Sequence, residues 1–264
     1  MQTRKIPETF LGVGYTKDRA GLPLEAVRVP VPQPGPDQVL IRMAASSLNP
    51  LEYKLADLNF LGRTPPVILG LDLSGLVVAT GSNVKDVAIG DAVVAMADCN
   101  GDGGWVASRG EEGYALARDF FTVRKPKALS FLQAAAIPMC FLSAFAALYQ
   151  HVKPGDTIYI PGGGGGVGHL AVQMVAHTLG ARLVISSGST PESIELAKQS
   201  GAHHVFNYKL DDIGAEISRL TDGQGVDIVF DATYSEAGFV ETAKTVRKGG
   251  SWIVLEIGRA SCRE

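Results

Sequence analysis

The residue pattern with the clearest chemical use is a block of five glycines at Gly162–Gly166, which is followed by Val167 and Gly168. Gly163, Gly165 and Gly168 have the spacing G-x-G-x-x-G, which indicates a phosphate site when a strand precedes it and a helix follows. A short β-branched run precedes the block and an apolar helical pattern follows it. Glycine lets the backbone turn tightly and approach a pyrophosphate, and free N–H groups at the helix start stabilise the phosphate charge. A flexible loop with no ligand is the alternative.

The elements around this block alternate between strands and helices. The pattern predicts strands at 157–160, 182–186, 204–207, 227–230 and 251–255, and helices near 167–179, 191–200, 212–220 and 237–246. Gly201 and the pair Gly249-Gly250 are predicted to end helices, where a left-handed residue is favoured. Such alternation is typical of a parallel, doubly wound sheet, so the fold class is α/β.

The first 125 residues show a different pattern, made of short strands and turns. Strands are predicted at 39–45, 75–80 and 92–97, with one short helix near 50–58. Two helices are then predicted, at about 131–136 after Ser130 and at about 141–151 after Pro138. The change of period near residue 126 predicts a boundary between a β domain and an α/β domain.

Composition narrows the function classes. The chain has 264 residues, 46% of them hydrophobic, and a formal net charge of −3, which argues against nucleic-acid and anionic-membrane partners. The apolar run 131–152 is long enough for a membrane span but contains Pro138, so buried helices fit it better. Cys99, Cys140 and Cys262 are far apart and form neither a disulfide framework nor a metal motif. A reducing, cytoplasmic location is expected.

Several motifs in order along the chain resemble the medium-chain dehydrogenase/reductase superfamily, in its zinc-free quinone oxidoreductase and enoyl reductase branch. Besides the glycine block, the motifs are residues 49–54 (NPLEYK), 70–77 (GLDLSGLV), 90–91 (GD), 135–138 (AAIP), 201–208 (GAHHVFNY) and 225–231 (GVDIVFD). The resemblance implies a GroES-like β-barrel domain over 1–125, a Rossmann NAD(P)-binding domain over 126–256, and a nicotinamide in the cleft between them. It implies hydride transfer to a quinone or an α,β-unsaturated carbonyl compound.

The residue pattern itself indicates cofactor contacts at the glycine block and the following strand, namely at Gly163, Gly165, Gly166, Val167, Gly168, Ser186 and Ser187. The resemblance adds Ser143 and Tyr208 and implies the catalytic residues. Asn49 and Tyr53 would lie beside the nicotinamide, where Asn49 could donate a hydrogen bond to the substrate carbonyl and Tyr53 could donate or relay a proton. A surface tyrosine without a catalytic role is an equal alternative for Tyr53. Asp72 is expected to organise its loop rather than act as a base.

No metal is expected, because zinc needs several nitrogen or sulfur ligands. Zinc-dependent relatives place a cysteine where this chain has the segment 49–52, and a histidine where it has Leu71 or Asp72. NADPH is favoured over NADH, because the second strand of the α/β half ends without the acidic residue that binds the ribose 2′-hydroxyl. Glu192 departs from relatives, which often carry a lysine near that position.

Two other functions stay open, a cofactor-binding protein without turnover and an alcohol dehydrogenase-like enzyme that has lost its metal. The end of the chain carries a further expectation. Residues 257–264 (IGRASCRE) resemble the translation of a common sequencing-adapter sequence, which predicts a non-native tail and a Rossmann domain that is incomplete at the C-terminus. A short native tail is the alternative. The resemblance implies a homodimer for the full-length form.

Overall fold

The structure is a computed structural model that describes residues 5–17, 24–59, 62–98, 112–233, 240 and 242–255. It divides into two compact units, an N-terminal unit that ends at Met139 and a C-terminal unit that begins at Cys140. Two of the three cysteines, Cys99 and Cys262, lie outside the described residues, as do residues 237–239 and 241 of the helix expected at 237–246 and the tail 257–264.

The N-terminal unit is mostly antiparallel sheet. Its described strands are β1 (Thr9–Tyr15), β2 (Glu25–Pro30), β3 (Gln38–Ser46), β4 (Val67–Ile68), β5 (Asp72–Thr80), β6 (Ala92–Ala97) and β7 (Tyr114–Arg124), and its helices are α1 (Pro50–Leu58) and α2 (Phe131–Ala135). Strands β3, β5, β6 and β7 close into a barrel, and β2, β1 and β4 form a separate three-stranded sheet. Alternate residues of the barrel strands point inward and fill its core, among them Val39, Ile41, Leu73 and Val93. This half therefore contains the small closed barrel that the family resemblance implied.

Helix α1 begins where its sequence predicts. Asn49 has an extended backbone as the N-cap, Pro50 occupies the first helical position, and the side chain of Glu52 accepts a hydrogen bond from the Asn49 backbone N–H at 2.7 Å. The pairing of β3 with β5, which sets Ser46 opposite Leu73, brings Asp72 beneath this N-terminus.

Helix α2 belongs to the N-terminal unit rather than to the α/β half. The Ser74 hydroxyl donates to the Phe131 carbonyl at 2.6 Å, and Lys125 lies over the Phe131 ring. The N-terminal unit therefore includes α2 and ends at Met139, whereas the change of period in the sequence predicted a domain boundary near residue 126.

The C-terminal unit contains a parallel sheet. Its described strands are β8 (Thr157–Pro161), β9 (Leu183–Gly188), β10 (His204–Asn207), β11 (Val226–Asp231) and β12 (Val246–Val254). Its described helices are α3 (Pro138–Leu148), α4 (Gly166–His177), α5 (Pro191–Gln199) and α6 (Ile213–Leu220). The first two residues of α3 belong to the N-terminal unit. Within the described residues the strand order is β10-β9-β8-β11-β12. Apolar clusters cover both faces of the sheet, with α3 and α4 on one and α6 on the other. The sheet is thus doubly wound, with a change of direction at β8 that marks the ligand edge of such folds.

Several boundaries differ from those predicted; β12, for example, begins at Val246 rather than near residue 251. Helix α3 begins at Pro138, not near residue 141, because proline is accepted in the first turn of a helix. The pair Gly249-Gly250 does not end a helix but lies inside β12, where Gly249 has a φ of +74° and the pairing with β11 is irregular. A glycine pair is compatible with a helix end and with a strand irregularity, so the sequence pattern did not separate them.

Candidate functional site

The glycine block connects the carboxyl end of β8 to the first turn of α4. Gly162 has a φ of +69°, and the Gly165 N–H donates to the Gly162 carbonyl at 2.8 Å, which closes the turn. Gly165 is the N-cap of α4, so Gly166, Val167 and Gly168 form its first turn. The backbone N–H groups of a first helical turn have no acceptor within the helix and, together with the helix dipole, favour an anion.

The glycines have different roles. A Cβ on Gly163 would lie 2.0 Å from the Ser186 Oγ, and one on Gly168 would lie 2.2 Å from the Gly162 carbonyl oxygen, so both positions need glycine for packing. Gly164, which lies outside the G-x-G-x-x-G positions, is equally constrained because a Cβ there would lie 2.2 Å from the carbonyl oxygen of Ser193 on α5. Gly165 and Gly166 are exposed instead, and a Cβ on Gly165 meets only the Gly162 carbonyl oxygen, at 3.2 Å. The open face of the loop is therefore at these two residues.

The side chains of Ser186 and Ser187 are buried beneath the loop. Ser186 donates to the Ile160 carbonyl at 2.7 Å and accepts from the Gly163 N–H at 3.1 Å, so it ties β9 to the loop. Ser187 shares a 2.9 Å hydrogen bond with the Tyr159 hydroxyl, and burial raises the pKa of Tyr159 to about 12. In this structure both serines support the loop from inside the fold, and direct contact of either with a cofactor stays a prediction.

Tyr208 lies at the ribose end of the expected cofactor site. Its backbone N–H donates to the Gly188 carbonyl at 3.1 Å, which places the residue beside the carboxyl end of β9, and its side chain is exposed. The last residues of β9 include no acid. Thr190 and Ser193 cap α5 reciprocally, so the hydroxyl of Ser193 is used within the helix cap.

Ser143 lies on α3, half-buried, one turn after Cys140. A Cβ on Gly166 would lie 3.1 Å from the Cys140 sulfur, so α3 passes the N-terminus of α4. Residues three apart share a helix face. Ser143 is therefore on the α3 face that passes the glycine loop, whereas its predicted contact with the cofactor stays a prediction.

Asn49 and Tyr53 lie in the N-terminal unit, on the N-cap and the first turns of α1. The Asn49 side-chain amide donates to the Asp72 carboxylate at 3.0 Å (Nδ2 to Oδ2), whereas Tyr53 is 57% exposed. Asn49 is thus held in one orientation, and Tyr53 has no comparable restraint among the contacts described for it.

Two buried carboxylates flank Asn49, and the sequence pattern indicated neither of them as a site residue. Asp72 is fully buried and Glu52 is 3% exposed. Burial raises the pKa of Asp72 to about 6, and the neighbouring Glu52 charge adds to the shift, while hydrogen bonds from Asn49, Met139 and Ser47 oppose it. Burial likewise raises the pKa of Glu52.

These residues do not fit zinc. Asn49, Glu52, Leu71 and Asp72 provide no sulfur or imidazole ligand, and no cluster of three or more His, Cys, Asp or Glu side chains suited to a metal occurs in the described part of the chain. The glycine loop, in contrast, fits a pyrophosphate, since its exposed face has no Cβ at Gly165 or Gly166 and precedes a helix dipole.

Comparison with known protein families gives one matching family for each of the two units. Residues 35–125 match the family described as alcohol dehydrogenase GroES-like domain, and residues 166–260 match the family described as zinc-binding dehydrogenase. The quinone oxidoreductase of Coxiella burnetii is 31% identical, with a TM-score of 0.77 over 96% of this chain and 77% of that one. The chain belongs to the medium-chain dehydrogenase/reductase superfamily.

Within this superfamily the similar proteins include quinone oxidoreductases and enoyl reductases, and also solved proteins of the alcohol dehydrogenase type. A 2-methylene-furan-3-one reductase of Solanum lycopersicum is 33% identical over 86% of this chain and 57% of its own length. A mycobacterial protein solved with NADPH is 27% identical, with a TM-score of 0.75 over 92% of this chain and 72% of that one. The chain spans less than three fifths of the length of the first curated relatives, at 57%, 59% and 57%. Its family is therefore established, as is its place among NAD(P)-dependent oxidoreductases, whereas its own activity is a matter of proposal.

Proposed function

We propose that the protein is an NADPH-dependent oxidoreductase that transfers hydride, without zinc, to a quinone or an α,β-unsaturated carbonyl compound. The observation that carries the proposal is the glycine loop at the carboxyl end of β8, whose open face at Gly165 and Gly166 precedes α4. The tomato relative is named as a reductase of 2-methylene-furan-3-one, which is an α,β-unsaturated carbonyl compound. The relative from Coxiella burnetii is named as a quinone oxidoreductase.

The choice of NADPH rests on the end of β9. An acidic side chain there would accept from a ribose 2′-hydroxyl and repel a 2′-phosphate, and the strand ends instead in Ser187 and Gly188. The exposed Tyr208 beside Gly188 offers a hydroxyl, and the next residue, Lys209, is an exposed cation. The mycobacterial relative that was solved with NADPH supports the same choice.

The protein's own part in the reaction is binding, orientation and polarisation. The bound cofactor supplies the hydride. We propose that the Asn49 amide donates to the substrate carbonyl oxygen and stabilises the negative charge that develops there. Tyr53 is the candidate proton donor for the carbon next to the carbonyl, since its exposed hydroxyl is open to a substrate. Ser143 is proposed to contact the cofactor amide.

The test is a substrate panel with NADPH oxidation as the readout. The panel contains a quinone, an α,β-unsaturated ketone, the corresponding saturated ketone and an alcohol with NADP⁺. We expect turnover of the first two compounds and a higher kcat/KM with NADPH than with NADH. NADPH binding by calorimetry without turnover of any compound would indicate a binding protein instead, and oxidation of the alcohol alone would indicate an alcohol dehydrogenase.

The compartment and the assembly are further parts of the proposal. No helix in the described residues is long and apolar enough to cross a membrane. A cytoplasmic location is proposed on the three scattered cysteines, and a homodimer on the family resemblance. Cell fractionation and the molar mass in solution, measured by light scattering, test the two statements separately.

A further inference from the structure

The turn that follows β10 lies beside the end of β9. The two strands are parallel with Asn207 opposite Gly188, and the Tyr208 N–H donates to the Gly188 carbonyl at 3.1 Å. Ligands of an open α/β sheet bind outside the carboxyl ends of its strands, and the ribose that may carry a 2′-phosphate lies at the end of the second strand. Lys209, the second residue of this turn, is therefore at the ribose end of the carboxyl edge, and its side chain is exposed.

Local hydrogen bonds hold the backbone of Lys209 in place. Its N–H donates to the Asn207 side-chain oxygen at 3.0 Å, and the Asn207 N–H donates to the Asp211 carboxylate at 2.7 Å. The Asp211 N–H donates in return to the Asn207 carbonyl at 2.8 Å. The Lys209 ammonium group, in contrast, forms no ion pair with any residue in the described ranges. The turn thus presents an unpaired positive charge from a fixed backbone.

The other described lysines and arginines of the C-terminal unit lie toward the opposite, amino edge of the sheet. Each precedes a strand, lies at the beginning of one, or lies in the last turn of a helix that leads to one. They are Lys153, Arg182, Lys198, Arg219, Lys244, Arg247 and Lys248. In the described part of this unit, Lys209 is thus the one lysine or arginine that directly follows the carboxyl end of a strand.

Acids at the same edge have other contacts or oppose a phosphate. Asp211 holds the turn, and Asp212 caps α6 by accepting from the Ala215 N–H at 3.0 Å. Glu192, in the first turn of α5, is exposed. A 2′-phosphate carries nearly two negative charges at neutral pH, so beside Glu192 it needs a cation. NADH has no such phosphate and gains nothing from one.

We propose that Lys209 determines the preference for NADPH, because its ammonium group binds the 2′-phosphate of the adenosine ribose. The inference rests on the proposed function, since it needs a nucleotide bound at the carboxyl edge. Lysine acts on a phosphate as a point charge on a flexible stem, so an exposed lysine on a fixed turn is suited to this role. Lys209 contributes to the binding of one cofactor only and takes no part in hydride transfer.

Calorimetry with two nucleotide probes tests this role without turnover. Adenosine 2′,5′-bisphosphate and adenosine 5′-monophosphate differ only by the 2′-phosphate. We expect Lys209→Gln to weaken binding of the bisphosphate by about 10-fold, the lower end for a hydrogen bond to a charged group, and to leave the Kd of the monophosphate unchanged. Lys209→Arg keeps the charge and should keep the preference. Lys198→Gln is the matched control, since Lys198 is an exposed cation of the same unit in the last turn of α5.

The dependence on salt separates a charge contact from a structural role. Between about 0.05 and 0.5 M salt the wild-type protein should lose more affinity for the bisphosphate than Lys209→Gln loses, because screening weakens an exposed ion pair. Equal salt dependence would overturn the role of Lys209. A preference for the bisphosphate that Lys209→Gln retains would also overturn it and would leave the choice of NADPH standing. A loss of the preference in Lys209→Gln, in a protein that turns over no compound of the panel, would support the role and contradict only the proposed reaction. Equal binding of both probes by the wild type would overturn both.

Discussion

Gly163 and Gly165 stand two positions apart in one loop and need glycine for different reasons. At Gly163 the space for a Cβ is filled by Ser186, whereas at Gly165 it is open except for the Gly162 carbonyl oxygen. Gly165 also has φ −82° and ψ 172°, which a branched residue adopts without strain. A substitution at Gly163 therefore tests the packing of the loop, and a substitution at Gly165 tests ligand binding.

We expect Gly165→Val to fold and to bind NADPH at least ~2 kcal/mol more weakly, because the side chain would occupy the face where the pyrophosphate approaches. Calorimetry measures the affinity, and circular dichroism measures the fold. Gly163→Ala is the contrasting variant, since its methyl group would collide with Ser186, and we expect a clear loss of thermal stability. Equal NADPH affinity in a folded Gly165→Val protein would argue against the loop as the phosphate site.

The buried Asp72 predicts an unusual dependence of stability on pH. Its pKa is about 6 in the folded state and close to 3.8 in the unfolded chain, so the unfolded state releases this proton first as the pH rises. Between these two values the free energy of unfolding should fall with rising pH, by about 3 kcal/mol in all for this group. Asp72→Asn removes the ionisation.

We therefore expect Asp72→Asn to melt no lower than the wild type at pH 7.5, and to lose that advantage at pH 4.5. Differential scanning calorimetry at the two pH values measures the effect. Asp91→Asn is the control, since Asp91 lies in the same unit and bonds Ala88 and Arg124 instead of Asn49. A variant that melts well below the wild type at pH 7.5 would show that the carboxylate contributes stability in its ionised form.

At the scale of elements, the end of β9 is the place where we expect the preference between NADPH and NADH to be set. Ser187 is buried against Tyr159, so an acid at that position would be forced into the fold. Ser189, two residues later, is only half-buried and follows the strand directly. It is the better position for an acid that should face the ribose.

We expect Ser189→Asp to move the ratio of kcat/KM toward NADH, because the carboxylate would repel a 2′-phosphate and accept from a 2′-hydroxyl. Ser189→Asn is the matched control, with nearly the same size and no charge. Steady-state kinetics with both cofactors measure the ratio. A preference that the charged and neutral variants share would show that this position does not face the ribose.

The sequence predicted many elements because their signals are local. Helix α1 follows from Asn49 and Pro50, and β6 and β10 from short segments that contain valine, and each has the expected position. The cluster around Asn49 was not predictable in the same way. Asp72 is 23 positions away along the chain and meets Asn49 only through the register of β3 on β5. Such a register is set by the packed barrel core and not by any neighbouring residue.

The burial of the two serine side chains of β9 is a second feature that the sequence could not predict. The absence of an acid after the strand was visible in the sequence, whereas the burial of Ser186 and Ser187 was not. A strand in a parallel sheet is buried on both faces, so alternation does not tell which hydroxyls remain accessible. In the structure the Ser186 hydroxyl accepts from the Gly163 N–H of the glycine loop, whereas the Ser187 hydroxyl bonds the Tyr159 hydroxyl in β8.

At the scale of the whole molecule, the histidines and the buried acids of the described residues belong to different units of the chain. All five histidines, at 151, 169, 177, 203 and 204, belong to the C-terminal unit. The buried acids Glu52 and Asp72 belong to the N-terminal unit, with an amide between them. Of the histidines, His203 uses its Nδ1 to accept from the Val184 N–H at 2.8 Å, which is a structural role within the sheet.

We therefore expect the reductase activity to survive prolonged incubation with a strong chelator, and elemental analysis to find far less than one zinc per chain. The physical reason is that two carboxylates without sulfur or imidazole partners hold zinc weakly. A zinc-dependent alcohol dehydrogenase treated in parallel is the positive control for metal removal. Stoichiometric zinc in the purified protein, lost together with activity and restored by added zinc, would contradict the metal-free mechanism and revive the alcohol dehydrogenase-like alternative. Loss of zinc with unchanged activity would place the metal outside the reaction.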